Sequence, residues 1–187
     1  MNSTRMSWPE RLERGLMGES LIAQWLIRRG HVVLPAYEVE GGGFKGPRVH
    51  SARGAHVSPD LGIVRRDGRF VWIEAKHKTA FSWRRCRPGP RWETGIDLRH
   101  WSHYCEVGAL TNAAMWLLFL HRESTPDRRD LRAGSPRACP VGLFGISIQD
   151  SIERVRLDVH RRAHAPAGMA YWAHADLRLL APLRDVL

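Results

Sequence analysis

Cysteine is scarce, with three in 187 residues. Cys86, Cys105 and Cys139 show no CxxC or Cys/His zinc spacing, and three cannot complete a disulfide framework. A reducing cytoplasm is the expected compartment. Long apolar runs are missing too. The longest, near residues 113–120, is far too short to span a bilayer. The N-terminus carries charges but no apolar signal core, so no membrane partner is expected. None of the ten histidines falls in an HExxH pattern, and there is neither a GxxxxGK[ST] phosphate loop nor a GxSxG elbow. Gly41-Gly42-Gly43 lacks the lysine pattern a phosphate loop requires. Acid is in short supply: 19 Asp and Glu stand against 29 Lys and Arg, for a net charge of +10 and a pI of about 10.7. That excess points to a polyanion, with nucleic acid the first candidate. Arginine dominates the cations, and an arginine-rich GC-biased composition alone would give the same balance. At 187 residues and 43% hydrophobic content the chain predicts one domain, 1–187, with a sizeable core.

What is present concentrates between residues 58 and 78. Ser58-Pro59-Asp60-Leu61-Gly62-Ile63-Val64 and Phe70-Val71-Trp72-Ile73-Glu74-Ala75-Lys76 flank Arg66-Asp67-Gly68-Arg69. Asp-Gly between apolar runs predicts a hairpin, since glycine tolerates the positive φ of a tight turn. Folding there sets Asp60 across from Glu74 to within one residue of register, with Cβ atoms roughly 5 Å apart. Two carboxylates that close repel unless a cation or proton lies between them. Glu74 and Lys76 are two apart and leave the strand on one face. The second strand is apolar on both faces, so Glu74 interrupts a buried surface and needs a partner. The arrangement suits a hard divalent metal with a cationic helper. A solvated hairpin with charges on its outer face is the plainer alternative.

Pro59-Asp60 followed by Glu74-Ala75-Lys76 across a hairpin resembles the PD-(D/E)xK nuclease superfamily, whose fold is that of type II restriction enzymes and archaeal Holliday-junction resolvases. The resemblance implies an α/β fold with a small mixed sheet flanked by helices, running over residues 8–121, with 122–187 as a C-terminal extension. It implies Mg²⁺, with Mn²⁺ as a substitute, held by Asp60 and Glu74, with the Ala75 carbonyl as a further ligand and Lys76 assisting the attacking water. Many relatives carry a glutamate on the first helix that points into the metal site, and Gly18-Glu19 resembles that segment.

The order of elements agrees. Ser7-Trp8-Pro9-Glu10 reads as a capping box, opening a helix from about Trp8 to Arg29 that stops at Gly30. Its apolar stripe is predicted as Leu12, Leu16, Ala23 and Leu26, with Glu19 on the same stripe. Glu19 either joins the site or pairs with an arginine at the stripe's edge. A strand at 31–35, a flexible glycine loop at 41–47, the hairpin, a helix over 98–112 and a buried strand at 114–120 follow.

Lys76-His77-Lys78-Thr79-Ala80-Phe81-Ser82-Trp83-Arg84-Arg85, with Arg87, Arg91 and Trp92 beyond, reads as a basic, aromatic loop leaving the hairpin strand. Cations interleaved with rings suit a phosphate backbone and its bases. Lys78, Trp83, Arg84, Arg85, Arg87 and Arg91 are therefore candidate nucleic-acid contacts; a solvated loop with its tryptophans packed on the domain is the alternative. A second basic loop is expected at 127–132. On the second helix, His100 and Tyr104 are four apart and resemble a polar pair that lines the site in some branches of the superfamily. A surface or core histidine is the alternative.

Strands are also expected near 142–148 and 169–173, with a short helix at 149–155. Three functional readings remain: a Mg²⁺-dependent nuclease acting on nucleic acid, DNA first; a non-catalytic nucleic-acid-binding module; and a protein-interaction subunit. A symmetric homodimer would supply two sites for cutting two strands.

Overall fold

The computed structural model describes residues 7–35, 48–52, 54–86, 89–160 and 165–187. The glycine loop at 41–47 and Arg87 lie outside the described residues.

Helix α1 spans Trp8–Arg28. Its capping box is formed: the Ser7 hydroxyl accepts from the Glu10 amide and the Glu10 carboxylate accepts from the Ser7 amide. This satisfies two helix-end donors that would otherwise be orphaned. The stripe differs from the sequence expectation. Ile22, Trp25 and Leu26 are buried, while Leu12 and Leu16 are exposed. Only the second half of the helix lies on the core, so the first half is not drawn in.

Four strands follow: β1 (Val32–Pro35), β2 (Arg48–Ser51), β3 (Gly54–Val57) and β4 (Leu61–Val64). Then come β5 (Phe70–Lys78), β6 (Ser82–Cys86) and β7 (Gly89–Asp97). Helix α2 (Leu98–Thr111) leads to β8 (Ala114–His121), α3 (Arg128–Arg132), β9 (Gly142–Ser147) and α4 (Ile148–Arg154). The chain closes with β10 (Arg156–Asp158), β11 (Met169–Ala173) and β12 (Arg178–Ala181). No helix among the described residues is long and apolar enough to cross a membrane.

Six strands form a mixed sheet in the order β1-β4-β5-β8-β9-β12. Only β5 and β8 are parallel; every other pair is antiparallel. The α/β architecture expected from the sequence, a mixed sheet flanked by helices, is therefore present. A second, antiparallel sheet runs β10-β11-β7-β6, and β2 and β3 pair only with each other.

Alternation along the central strands builds two cores. Val71, Ile73 and Ala75 of β5 join Leu118 and Leu120 of β8 beneath Ile22, Trp25 and Leu26 of α1. On the other face, Met115, Leu117 and Phe119 of β8 pack with Tyr104 of α2, Ile148 of α4 and Trp172 of the second sheet. Burying Leu117, Leu120 and Leu143 completely contributes about 1.5–3 kcal/mol each.

Two loop expectations are corrected. The basic stretch beyond residue 81 forms β6 and β7, a hairpin of the second sheet. Gly89 and Pro90, read from the sequence as part of a breaker, are the first residues of β7 and pair with Cys86 and Arg85. The stretch at 127–132 contains the short helix α3, whose N-cap Asp127 accepts from the Arg129 amide at 2.7 Å.

Candidate active site

Gly68 adopts φ 78° in the turn that joins β4 to β5. Leu61 then pairs with Ile73 and Val64 with Phe70. One step further in the same register, Asp60 lies opposite Glu74. The Asp60 Oδ2 accepts from the Ala75 amide at 2.9 Å, which fixes that carboxylate across the strand gap.

Val71, Ile73 and Ala75 occupy the α1 face, so Glu74 and Lys76 project to the other. Glu74 is completely buried. Its Oε1 accepts from the Tyr104 hydroxyl at 2.5 Å and is ion-paired with the Lys76 ammonium. Its Oε2 has no hydrogen-bond partner. The same ammonium lies 3.7 Å from Asp60 Oδ2. Asp60, Glu74 and Lys76 thus converge, as the hairpin register requires.

Glu19 arrives from α1. Gly18, its neighbour, sits so tightly on β5 that a methyl group there would overlap His77 Cβ. His77 Nδ1 donates to the Arg14 carbonyl at 2.7 Å and pins the same crossing. The helix backbone can approach the strand only because residue 18 has no side chain. Burial and then the Asp60 charge push the Glu19 carboxyl up to about 7, and Lys76 opposes them.

The pair Glu74 and Lys76 presents an apparent conflict. Burial and the Asp60 charge hold the Glu74 carboxyl well above its ordinary range. The Lys76 amine is itself raised, because the carboxylates of Asp60 and Glu74 outweigh its own desolvation. One ammonium is well compensated by two acids, but it cannot compensate both of them and Glu19 as well. The deficit is one of positive charge, and together with burial it raises the carboxyls of both Glu74 and Glu19. Lys78 donates to the Gly95 carbonyl at 2.7 Å rather than to these acids, and burial and then the Lys76 charge bring its pKa down to about 8.

Among the described residues, no three His, Cys, Asp or Glu side chains form a ready-made metal cage. Two carboxylates do fit a hexacoordinate cation that keeps several of its waters. Glu74 Oε2, fully buried and without a hydrogen-bond partner, is the oxygen left open to a further ligand.

Tyr104 lines the site. His100 is on the same helix, and burial followed by the Lys76 charge lowers its pKa. The basic stretch lies elsewhere, on the second sheet. Arg84 and Arg91 are ion-paired with Glu93, which is completely enclosed; Arg84 also meets Asp158 at 3.3 Å. Arg156 Nη2 donates to Glu93 Oε2 at 2.5 Å. Trp83 and Trp92 pack edge to face across β6 and β7, with centroids 4.8 Å apart. Arg85 is exposed. Sequence reasoning missed Glu93, whose partner Arg156 is 63 residues away.

Comparison with protein families found no family model that matches, and comparison with curated proteins found no match. Among solved structures, the chain is similar to Hjc, a Holliday junction resolvase of Archaeoglobus fulgidus. The identity is 10%, the TM-score 0.47, and the match covers 87% of this chain and 90% of that one.

Proposed function

We propose that the chain is a metal-dependent nuclease that hydrolyses phosphodiester bonds in DNA, using Mg²⁺ or Mn²⁺ held by Asp60 and Glu74. The observation that carries this reading is the charge deficit around Lys76: Glu19, Asp60 and Glu74 face one firmly charged ammonium, and Glu74 Oε2 has no partner. Monovalent compensation leaves protons on acids near neutrality, whereas a divalent cation would match the excess.

Asp60 would hold the cation from one strand, oriented by the Ala75 amide, and Glu74 from the other, oriented by Tyr104. The Ala75 carbonyl and Glu19, directly or through a water, would complete the shell. The chemistry a divalent cation supplies when bound is Lewis acidity toward water and the scissile phosphate. Lys76 would then orient the attacking water and offset charge developing on the phosphate oxygens. The net charge of +10 favours a polyanionic substrate.

A second reading is a nucleic-acid-binding module without catalysis. Its support is that Lys76 already lies against both carboxylates and that the described residues lack a three-ligand cage. Incubation with single-stranded, duplex and branched DNA and with RNA, in Mg²⁺ or EDTA, separates the two. Cleavage in Mg²⁺ alone, lost in Asp60→Ala, Glu74→Ala and Lys76→Ala, supports the nuclease. A mobility shift without cleavage selects the binding module and refutes the nuclease.

A further inference from the structure

The ribbon of β2 and β3 belongs to neither larger sheet. Two strands alone are marginal in water, and this pair leans on α2 instead: the His56 and His103 rings meet edge to face, with centroids 5.8 Å apart. None of its described residues is fully buried, and only Val57 among them packs against a core.

Its charge is one-sided. From residue 41 to residue 59 the sequence contains Lys45, Arg48, His50, Arg53 and His56 and not one Asp or Glu. Arg48 and His50 are exposed, and Arg48 meets no acidic side chain among the described residues. This contrasts with β6 and β7, where Arg84 and Arg91 are tied to Glu93. The ribbon also lies next to the site. Only Ser58 and Pro59 separate β3 from Asp60, so the end of the ribbon is at most about 11 Å from it. His103 follows Ser102 on α2, one residue before the Tyr104 that holds Glu74.

We propose that the β2–β3 ribbon grips the phosphate backbone of the nucleic acid beside the Asp60–Glu74 site, with Arg48 as its direct phosphate contact. The proposal rests on the nuclease reading above and assigns its substrate surface to the ribbon rather than to the arginines of β6 and β7. A ribbon without acid, with Arg48 and His50 exposed and only Val57 reaching a core, fits a backbone contact, which needs charge and reach but no base-specific geometry.

The test is fluorescence anisotropy of a labelled DNA duplex in EDTA, across a series of salt concentrations. Losing one phosphate contact lowers the slope of log K against log salt by about 0.9 and weakens binding about eightfold at 0.1 M salt. Arg48→Gln is expected to show both, and Arg48→Lys to restore the slope. Arg48 is exposed, so unchanged thermal melting verifies the fold. If the wild type binds and Arg48→Gln keeps its slope and affinity, the ribbon is overturned while the nuclease reading stands. If the wild type neither binds nor cleaves DNA, both fall.

Discussion

Replacing Lys76 by methionine isolates the electrostatics of the site. Glu74 is completely enclosed and has two partners, Tyr104 and Lys76, both on Oε1. Removing the ammonium leaves a buried carboxylate with one hydroxyl donor and the Asp60 charge opposite. Breaking a buried pair in this way costs about 3–5 kcal/mol. The variant can escape by protonating Glu74, so the loss is pH-dependent. The Glu74 carboxyl is already raised in the folded wild type, and the substitution raises it further. The folded variant then holds a proton that the unfolded chain releases near pH 4.5, so its stability is greatest below that pH and falls as pH rises, by up to about 1.4 kcal/mol per unit. Urea denaturation in EDTA from pH 5 to pH 9 measures this. The variant should approach wild-type stability at the acid end and fall progressively short of it as pH rises past about 8, where the wild-type Glu74 ionises beside Lys76. Saturating Mg²⁺, at about 100 times its dissociation constant, should return about 2.7 kcal/mol. Equal stability of variant and wild type at pH 9 would refute the reasoning, because it would mean that Lys76 compensates nothing.

Two further outcomes follow from the packing. Gly18→Ala forces α1 away from His77 and should cost about 1–3 kcal/mol; calorimetric Mg²⁺ affinity should fall with it, because Glu19 moves too, and unchanged affinity would detach Glu19 from the site. His121 is fully enclosed, and burial and then the Lys78 charge bring its pKa down to about 3. Its stabilising contribution is present above the unfolded value near 6.5 and is lost as pH falls toward 3, amounting to about 2 kcal/mol by pH 5. His121→Phe should lack this acid-side slope in denaturant titrations, and an identical slope would place the proton elsewhere.

The site was legible because its signals are local. Asp67-Gly68 fixes the turn, the turn fixes the register, and the register alone sets Asp60 against Glu74. The parallel partner of β5 was legible in the apolar run of β8 for the same reason: burial on both faces leaves no polar residue to interrupt it. Of the second sheet only β11 was legible, in the apolar run at 169–173. Its strands β6 and β7 carry arginines that mimic a solvated loop, and their charge is answered by Glu93 within β7 and by Asp158 from a distant part of the chain. Nothing within ten residues of Arg84 announces Asp158. The lower half of α1 shows the opposite error: Leu12 and Leu16 have helical spacing but meet no core, since periodicity reports which face is apolar and not what covers it.

The carboxylates at the site lack enough positive charge, and metal calorimetry measures that shortage directly. Titrating Mn²⁺ or Mg²⁺ into the protein at pH 7, in buffers of different ionisation enthalpy, counts the protons expelled on binding. Saturable binding that releases protons, and that disappears in Asp60→Asn and Glu74→Gln, is the predicted result. Absence of binding in the wild type, or binding that both variants retain, would contradict it.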